Sequence, residues 1–126
     1  MTLGTTNGRT SWVAPLFYGK DKKNRFYVIS QPASRHVSHL THSPRISFAI
    51  FDSHAPEGKG NGIQGTGVMK ECKGFTLKRA LKHYHTDFIP CTQEAFTNGP
   101  YRLYRIDPTA MYILDPEAKT DKRVKI

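Results

Sequence analysis

The sequence predicts a mainly β domain, an antiparallel β-barrel of six to seven short strands with one main helix and further short helices. Runs rich in Val, Ile, Phe, Tyr and Trp recur along the 126 residues, and turns containing Gly, Pro or Asn separate them. One longer segment, residues 74–86, carries apolar residues at helical spacing. Many short strands with one amphipathic helix are typical of a small barrel that a helix covers at one end.

The N-terminal part begins with three strand-like segments. Asn7-Gly8 is a strong hairpin signal between the first segment and SWVAPLFYG. Pro15 restricts this second segment to a sheet edge or a bulge, because it lacks a backbone N–H. The charged loop KDKKN then leads into RFYVIS, the third segment. Together the three segments predict an antiparallel meander.

The central part departs from the strand pattern and then returns to it. Val37 and Leu40 predict one or two helical turns over 35–42, and Pro44 ends them. The apolar run RISFAIFD (45–52) predicts a strand that is buried on both faces. In the next strand, IQGTGVMKEC (63–72), Gly65 and Gly67 predict a bulge or the close approach of another group.

The C-terminal part contains the main helix. Thr76 is its candidate cap, and its predicted apolar face consists of Phe75, Ala80, Leu81 and Tyr84. A second short helix is predicted over 93–97, and residues 101–115 predict two strands broken at Asp107-Pro108. We therefore expect a single domain over residues 1–115 and a polar C-terminal tail over 116–126.

The charge favours anionic partners. The formal net charge is +9 and the isoelectric point is about 9.8, which suits nucleic acid, membrane headgroups or phosphorylated small molecules. The aromatic residues lie in strands among apolar neighbours, which favours core packing over a stacking platform for bases. Nucleic acid is therefore not the expected partner. Because there is no signal peptide and no apolar run near the roughly 20 residues of a membrane span, we expect a soluble, cytoplasmic protein.

Ser34-Arg35-His36 is the motif with the clearest chemistry. It stands at the predicted start of a helix, where backbone N–H groups, a hydroxyl and a guanidinium suit an anion. The alternative is a simple helix cap with exposed basic residues. His36, His39 and His42 hint at a metal, but residues three apart drift by about 60° per step around a helix, so no metal site is predicted. The sequence also has no G-x-S-x-G and no G-K-[ST] motif.

Four fragments, taken in order, resemble the pyridoxamine 5'-phosphate oxidase-like family of FMN-binding split barrels. They are GRTSWVAPLFYGKDKKNRFYVIS, SRHVSHLTHSPRISFAIFD, GIQGTGVM and YRLYRIDP. The second is the most specific, because the family has a strand, then S-R-[KH], a short helix ending in [N/S]-P, and an apolar strand ending in Asp. The resemblance covers residues 2–115 and implies an antiparallel split barrel.

The resemblance also implies FMN as the cofactor and a homodimer with two flavin sites at its interface. Ser34, Arg35 and His36 match the residues that hold the FMN phosphate. The strand along the isoalloxazine ring matches Ser11, Trp12, Val13 and Ala14, and Ile29 and Ser30 also line the flavin. Gln64 matches a contact to the ring or across the dimer.

Two departures from the family bear on the reaction. Leu16 stands where the vitamin B6 oxidases have a lysine, and their C-terminal Arg-x-His motif is missing. The expected function is therefore an FMN-dependent oxidoreductase of unknown substrate, with no catalytic residue assigned. The alternatives are a non-catalytic module that stores or senses flavin or binds deazaflavin or haem, and a basic nucleic-acid-binding domain.

Overall fold

The computed structural model describes residues 1–59 and 61–126 and confirms the predicted fold class. The described residues form eight antiparallel strands in a curled half-barrel, together with three short helices. The strands are β1 (Thr2–Thr6), β2 (Ser11–Pro15), β3 (Gly19–Lys20), β4 (Phe26–Ser30), β5 (Arg45–Phe51), β6 (Gly62–Glu71), β7 (Arg102–Leu114) and β8 (Arg123–Lys125). The helices are α1 (Arg35–His39), α2 (Gly74–Ala80) and α3 (Gln93–Asn98). In the described part of the chain, no helix has the length and apolar character that a membrane crossing needs.

The sheet order is β2–β1–β5–β6–β7–β4–β3, and β8 adds to β7. The predicted N-terminal meander is wrong, because β2 lies at one edge of this path while β3 and β4 lie at the other. The hairpin at Asn7-Gly8 does join β1 to β2, and Pro15 belongs to the edge strand, where its missing N–H costs no ladder hydrogen bond.

Two apolar clusters fill the molecule. The larger lies inside the half-barrel and consists of Leu3, Phe26, Val28, Ile46, Phe48, Met69, Tyr104 and Ile106. The smaller lies beneath α2 and α3 and consists of Tyr27, Cys72, Leu77, Ala80, Tyr84, Phe96 and Leu103. Strands β4 and β7 contribute to both clusters, because successive side chains point to opposite faces of a strand.

Strand β7 is continuous, so the predicted break at Asp107-Pro108 is wrong. The register between β6 and β7 shifts at Thr66 and Gly67, where Thr66 pairs with Ala110 and Gly67 with Pro108. This irregularity accommodates Pro108 within a long strand. The close approach predicted at the glycines is also present, since a Cβ on Gly65 would collide with the ring of Phe48.

Helix α2 is shorter than predicted and ends at Ala80. The next residues turn tightly, with the N–H of His83 donating to the carbonyl of Ala80 at 2.9 Å. Phe75 is 71% exposed and does not belong to the buried face, whereas Thr76 does act at the start, where its hydroxyl accepts from the N–H of Lys73. Within the segment 116–126, β8 pairs with the end of β7.

Asp21 fixes the turn that leads into β4. Its buried carboxylate accepts hydrogen bonds from the backbone N–H groups of Lys23 and Arg25, from Arg25 Nε at 2.6 Å and from the Tyr27 hydroxyl. Burial by itself would raise the pKa of Asp21, but these hydrogen bonds outweigh it and lower the pKa to about 2. The turn therefore depends on an ionised Asp21.

We predict that Asp21→Asn lowers the free energy of unfolding at neutral pH by about 2 kcal/mol. Because the folded pKa lies below the unfolded value of 3.8, the stabilisation is complete above about pH 4 and is lost as the pH falls toward 2. Urea unfolding at several pH values measures both effects. The control Asp87→Asn, at a fully exposed carboxylate, should change neither. An unchanged pH dependence in Asp21→Asn would show that the ionised Asp21 does not stabilise the turn.

Candidate functional site

A groove of about 660 Å³ lies on the outer face of the sheet, where strands β1, β2, β5, β6 and β7 meet. Small residues form its floor. Gly4 of β1 pairs with Ser47 of β5, and Ser47 pairs with Thr66 of β6, so the three residues lie side by side on neighbouring strands. A Cβ on Gly4 would collide with the hydroxyl of Ser47, so glycine is what keeps this part of the floor low. At these three positions the floor therefore carries no bulky side chain.

Strand β2 forms one wall of the groove. Ser11, Trp12 and Val13 line it, and their side chains are exposed, Trp12 by 40% and Val13 by 59%. Ala14 is buried and does not line the groove. Val13 pairs with Gly4 and therefore shares the face of the floor, whereas Trp12 pairs with the buried Thr5 and borders the groove from the other face of this edge strand.

Arg35 stacks on the Trp12 ring but is not among the residues that line the groove. Helix α1 packs against β1 and β2, and the Arg35 guanidinium carbon lies 4.3 Å from the centroid of the Trp12 ring. This distance is that of a cation–π contact. The helix has only five residues and the Ser34 side chain does not cap it, so the positive charge here comes mainly from Arg35 rather than from the helix dipole.

His36 follows Arg35 in α1. It is buried, and its Nε2 is 2.7 Å from the Ser30 hydroxyl oxygen and 3.3 Å from that of Ser34. Burial, and to a smaller extent the nearby His39, lower the pKa of His36. His39 is also buried and shares a hydrogen bond with Thr5 through Nδ1. The two imidazoles therefore anchor α1 to β4 and β1.

The remaining predicted residues lie apart from this groove. Ile29 is partly buried and packs against the cluster beneath α2 and α3. Gln64 is exposed on β6 and lines a second groove of about 410 Å³ together with Phe51 and Arg123. Ser11, Trp12 and Val13 thus line the groove, and Arg35 contacts Trp12 from α1. Ser34 and His36 adjoin Arg35 at the start of α1, and His36 contacts Ser30.

Sequence reasoning missed Arg45 and the small floor residues. The run RISFAIFD is not buried on both faces in this chain, because Arg45, Ser47 and Phe51 are exposed while Ile46 and Phe48 are buried. The alternation of Arg-Ile-Ser-Phe was the available signal, since a period of two indicates a half-buried strand. Arg45 lines the groove and supplies the cation of its lining.

The lining of the groove suits a flat ligand with an anionic group. It contains an indole, small side chains and one arginine, and none of its residues is His, Cys, Met, Tyr, Asp or Glu. Nowhere in residues 1–59 and 61–126 do three metal-ligating side chains converge. The groove residues can therefore bind and orient a ligand but supply no general acid or base.

Comparison with known proteins identifies the fold. No protein-family profile matches the sequence, and no curated protein is significantly similar to it. Solved structures do match this chain. One is a haem-binding protein from Mycobacterium smegmatis, which is 17% identical, has a TM-score of 0.75, and is matched over 99% of this chain and 51% of the M. smegmatis chain. An FAD-binding protein from Mesorhizobium loti matches at 20% identity and a TM-score of 0.66, over 89% and 82% of the two chains.

A candidate pyridoxamine 5'-phosphate oxidase from Listeria innocua also matches, at 12% identity and a TM-score of 0.63, over 90% of this chain and 86% of that one. These structures are split barrels, and the present chain has the same fold. The chain spans about half the length of the M. smegmatis protein.

We predict that His36 titrates with a pKa below the usual 6.5, which NMR of its imidazole resonances measures directly. As the pH falls below 6.5, the unfolded chain takes up a proton that folded His36 does not, so the free energy of unfolding decreases. His36→Gln should lose this part of the pH dependence. A pKa of 6.5 or above would contradict the buried, neutral imidazole.

Proposed function

We propose that this chain is an FMN-binding split-barrel protein that holds the flavin in the outer groove. The observation that carries the proposal is the stacking of the Arg35 guanidinium on the exposed Trp12 ring of β2, the edge strand that also borders the groove. An aromatic wall suits the isoalloxazine ring, and the guanidinium fork suits the phosphate. The groove volume also falls within the range of ordinary cofactor sites.

Arg35 and Ser34 would contact the phosphate, and Arg45 adds positive charge along the groove. His36 would act differently from a second cation. Since its Nε2 already faces the hydroxyls of Ser30 and Ser34, it positions Ser34 and the start of α1. Ser11, Trp12 and Val13 would lie along the ring, and Gln64, further along the outer face of β6, would reach the ligand or the second subunit.

Haem is the main competing ligand, since one of the similar structures is a haem-binding protein. Haem iron usually takes an axial His, Cys, Met or Tyr. The groove lining contains none of these residues, and His36 and His39 are buried with a ring nitrogen engaged. Flavin needs no axial ligand, so the lining favours flavin.

Bound flavin would supply redox chemistry, and the protein would bind it, orient it and exclude water from one face of the ring. We therefore propose an oxidoreductase without a protein acid or base in the groove. A protein that only stores or senses flavin would share the same site. Consumption of reduced nicotinamide by the flavin-loaded protein, with oxygen or a dye as acceptor, separates these two activities.

The outer face also suits a homodimer. It exposes Val13 by 59% and Phe51 by 62%, on strands at and near the groove. Small residues between them would let a second subunit approach closely. A partner on this face would close the groove, which is open to solvent in the single chain, and would cover the flavin.

We predict that the purified protein shows the visible absorbance bands of oxidised flavin or takes up added FMN. Arg35→Ala should weaken FMN binding by about 10- to 100-fold, because a charge-assisted hydrogen bond to phosphate is worth about 1.5–3 kcal/mol. Fluorescence titration measures the affinity. The control Lys78→Ala, which removes a cation far along the chain on α2, should bind FMN normally.

Two results would overturn the flavin assignment. One is a colourless protein that binds no FMN, and the other is full FMN affinity in Arg35→Ala. Tight binding of added haem, in place of FMN, would favour the competing ligand.

We also predict that Phe51→Asp shifts the protein from dimer to monomer and weakens FMN binding, because it buries a charge in the proposed interface. Light scattering after gel filtration gives the mass. Phe75→Asp, at an equally exposed phenylalanine on α2, is the matched control and should stay dimeric. A dimeric Phe51→Asp would place the interface elsewhere.

A further inference from the structure

A second cavity lies between α2 and the β4–β7 pair, and basic side chains line it. Its volume is about 40 Å³, room for about three water molecules or one tetrahedral oxyanion. Its polar lining consists of Arg25, Tyr27, Thr76, Arg79, His83 and Arg105. None of these residues lines the outer groove, so the two sites are separate.

The topology brings these residues together. Tyr27 pairs directly with Arg105 across β4 and β7, and Arg25, two residues before Tyr27, points to the same face. The turn after α2 stacks the His83 ring on the Tyr27 ring, with ring centroids 5.3 Å apart and planes inclined by 23°. Arg79 and Thr76 come from α2 itself.

The cations of this cavity are only partly neutralised. Arg25 donates through Nε to Asp21, and Arg105 donates through Nε and Nη2 to Asp107 at 3.0 and 2.9 Å. Among the described residues, Arg79 contacts no carboxylate, and its one aromatic contact is Phe75 at 5.9 Å.

The three arginines of the cavity therefore have two carboxylate partners, Asp21 and Asp107, and neither carboxylate lines the cavity. Three cationic side chains thus line one small space, where like charges repel one another. An anion in the cavity would relieve this repulsion.

We propose that this cavity binds the terminal phosphate of a phosphomonoester. Guanidinium groups match phosphate oxygens through paired N–H donors, and Arg79 has its whole fork free of protein carboxylates. The His83 ring adds a further N–H donor. The small volume admits a compact group with several free oxygens, whereas a phosphodiester would have to leave the cavity on two sides.

Calorimetric titration with inorganic phosphate and with phenyl phosphate, at ionic strength fixed by chloride, tests the proposal. Both ligands should bind, and Arg79→Ala should weaken them at least about tenfold. Lys78→Ala, which removes the neighbouring helix cation outside the cavity, should bind them normally. Because Arg79 forms no ion pair in the described structure and its removal relieves repulsion among the cations, Arg79→Ala should melt no lower than the parent protein. Shifts of the Tyr27 and His83 ring resonances on phosphate addition locate the site independently.

Three outcomes would overturn the proposal. Equal losses in Arg79→Ala and Lys78→Ala would mean diffuse attraction to a basic surface. Dimethyl phosphate binding as well as phenyl phosphate would indicate a diester, as in a nucleic-acid backbone. Loss of phosphate in Arg35→Ala but not in Arg79→Ala would place the phosphate in the outer groove. The proposal is independent of flavin binding, which Arg79→Ala should leave intact.

Discussion

The pairing of β4 with β7 is the constraint on which the rest of the structure depends. Phe26 and Val28 face the half-barrel core, while Tyr27 between them faces the cluster beneath α2 and α3. A slip of one residue would exchange these faces and put the wrong side chains into both cores. The Asp21 turn fixes the chain immediately before β4, so a buried, ionised carboxylate holds the register in which both clusters form.

This arrangement also explains where the outer groove lies. Helices α2 and α3 cover the sheet at β4 and β7, whereas the outer face of β1, β5 and β6 has no helix upon it. Only α1 approaches that half, and it packs at the edge, against β1 and β2. An open floor bordered by β2 results, and Arg35 contacts Trp12 of that strand from α1. The groove thus exists because α2 and α3 cover one half of the sheet and leave the other half exposed.

Local features of the fold could be predicted from the sequence, but the strand order could not. Asn7-Gly8 and the paired glycines of β6 act through their own backbone, so their effects were predictable. The position of β4 beside β7 depends on contacts about 75 residues apart in the chain, which no local pattern encodes. The predicted break in β7 at Pro108 was wrong because a register shift at Gly67, the partner of Pro108, accommodates the proline. Residue types alone pointed to Arg35 and Trp12. Their stacking and the burial of His36 depend on the tertiary structure, so the sequence could not predict them.

In the two proposed sites, geometry rather than net charge would select the ligand. Arg35 lies on the exposed indole of Trp12, and Trp12 borders a groove whose floor carries glycine, serine and threonine. Arg25, Arg79 and Arg105 surround a space of about 40 Å³, which has no room for a ring but fits one oxyanion. The small cavity would contact only the phosphate of a flavin and not its ring, whereas the floor of the groove would make no contact with a free phosphate. The two sites should therefore discriminate between ligands that carry the same charged group.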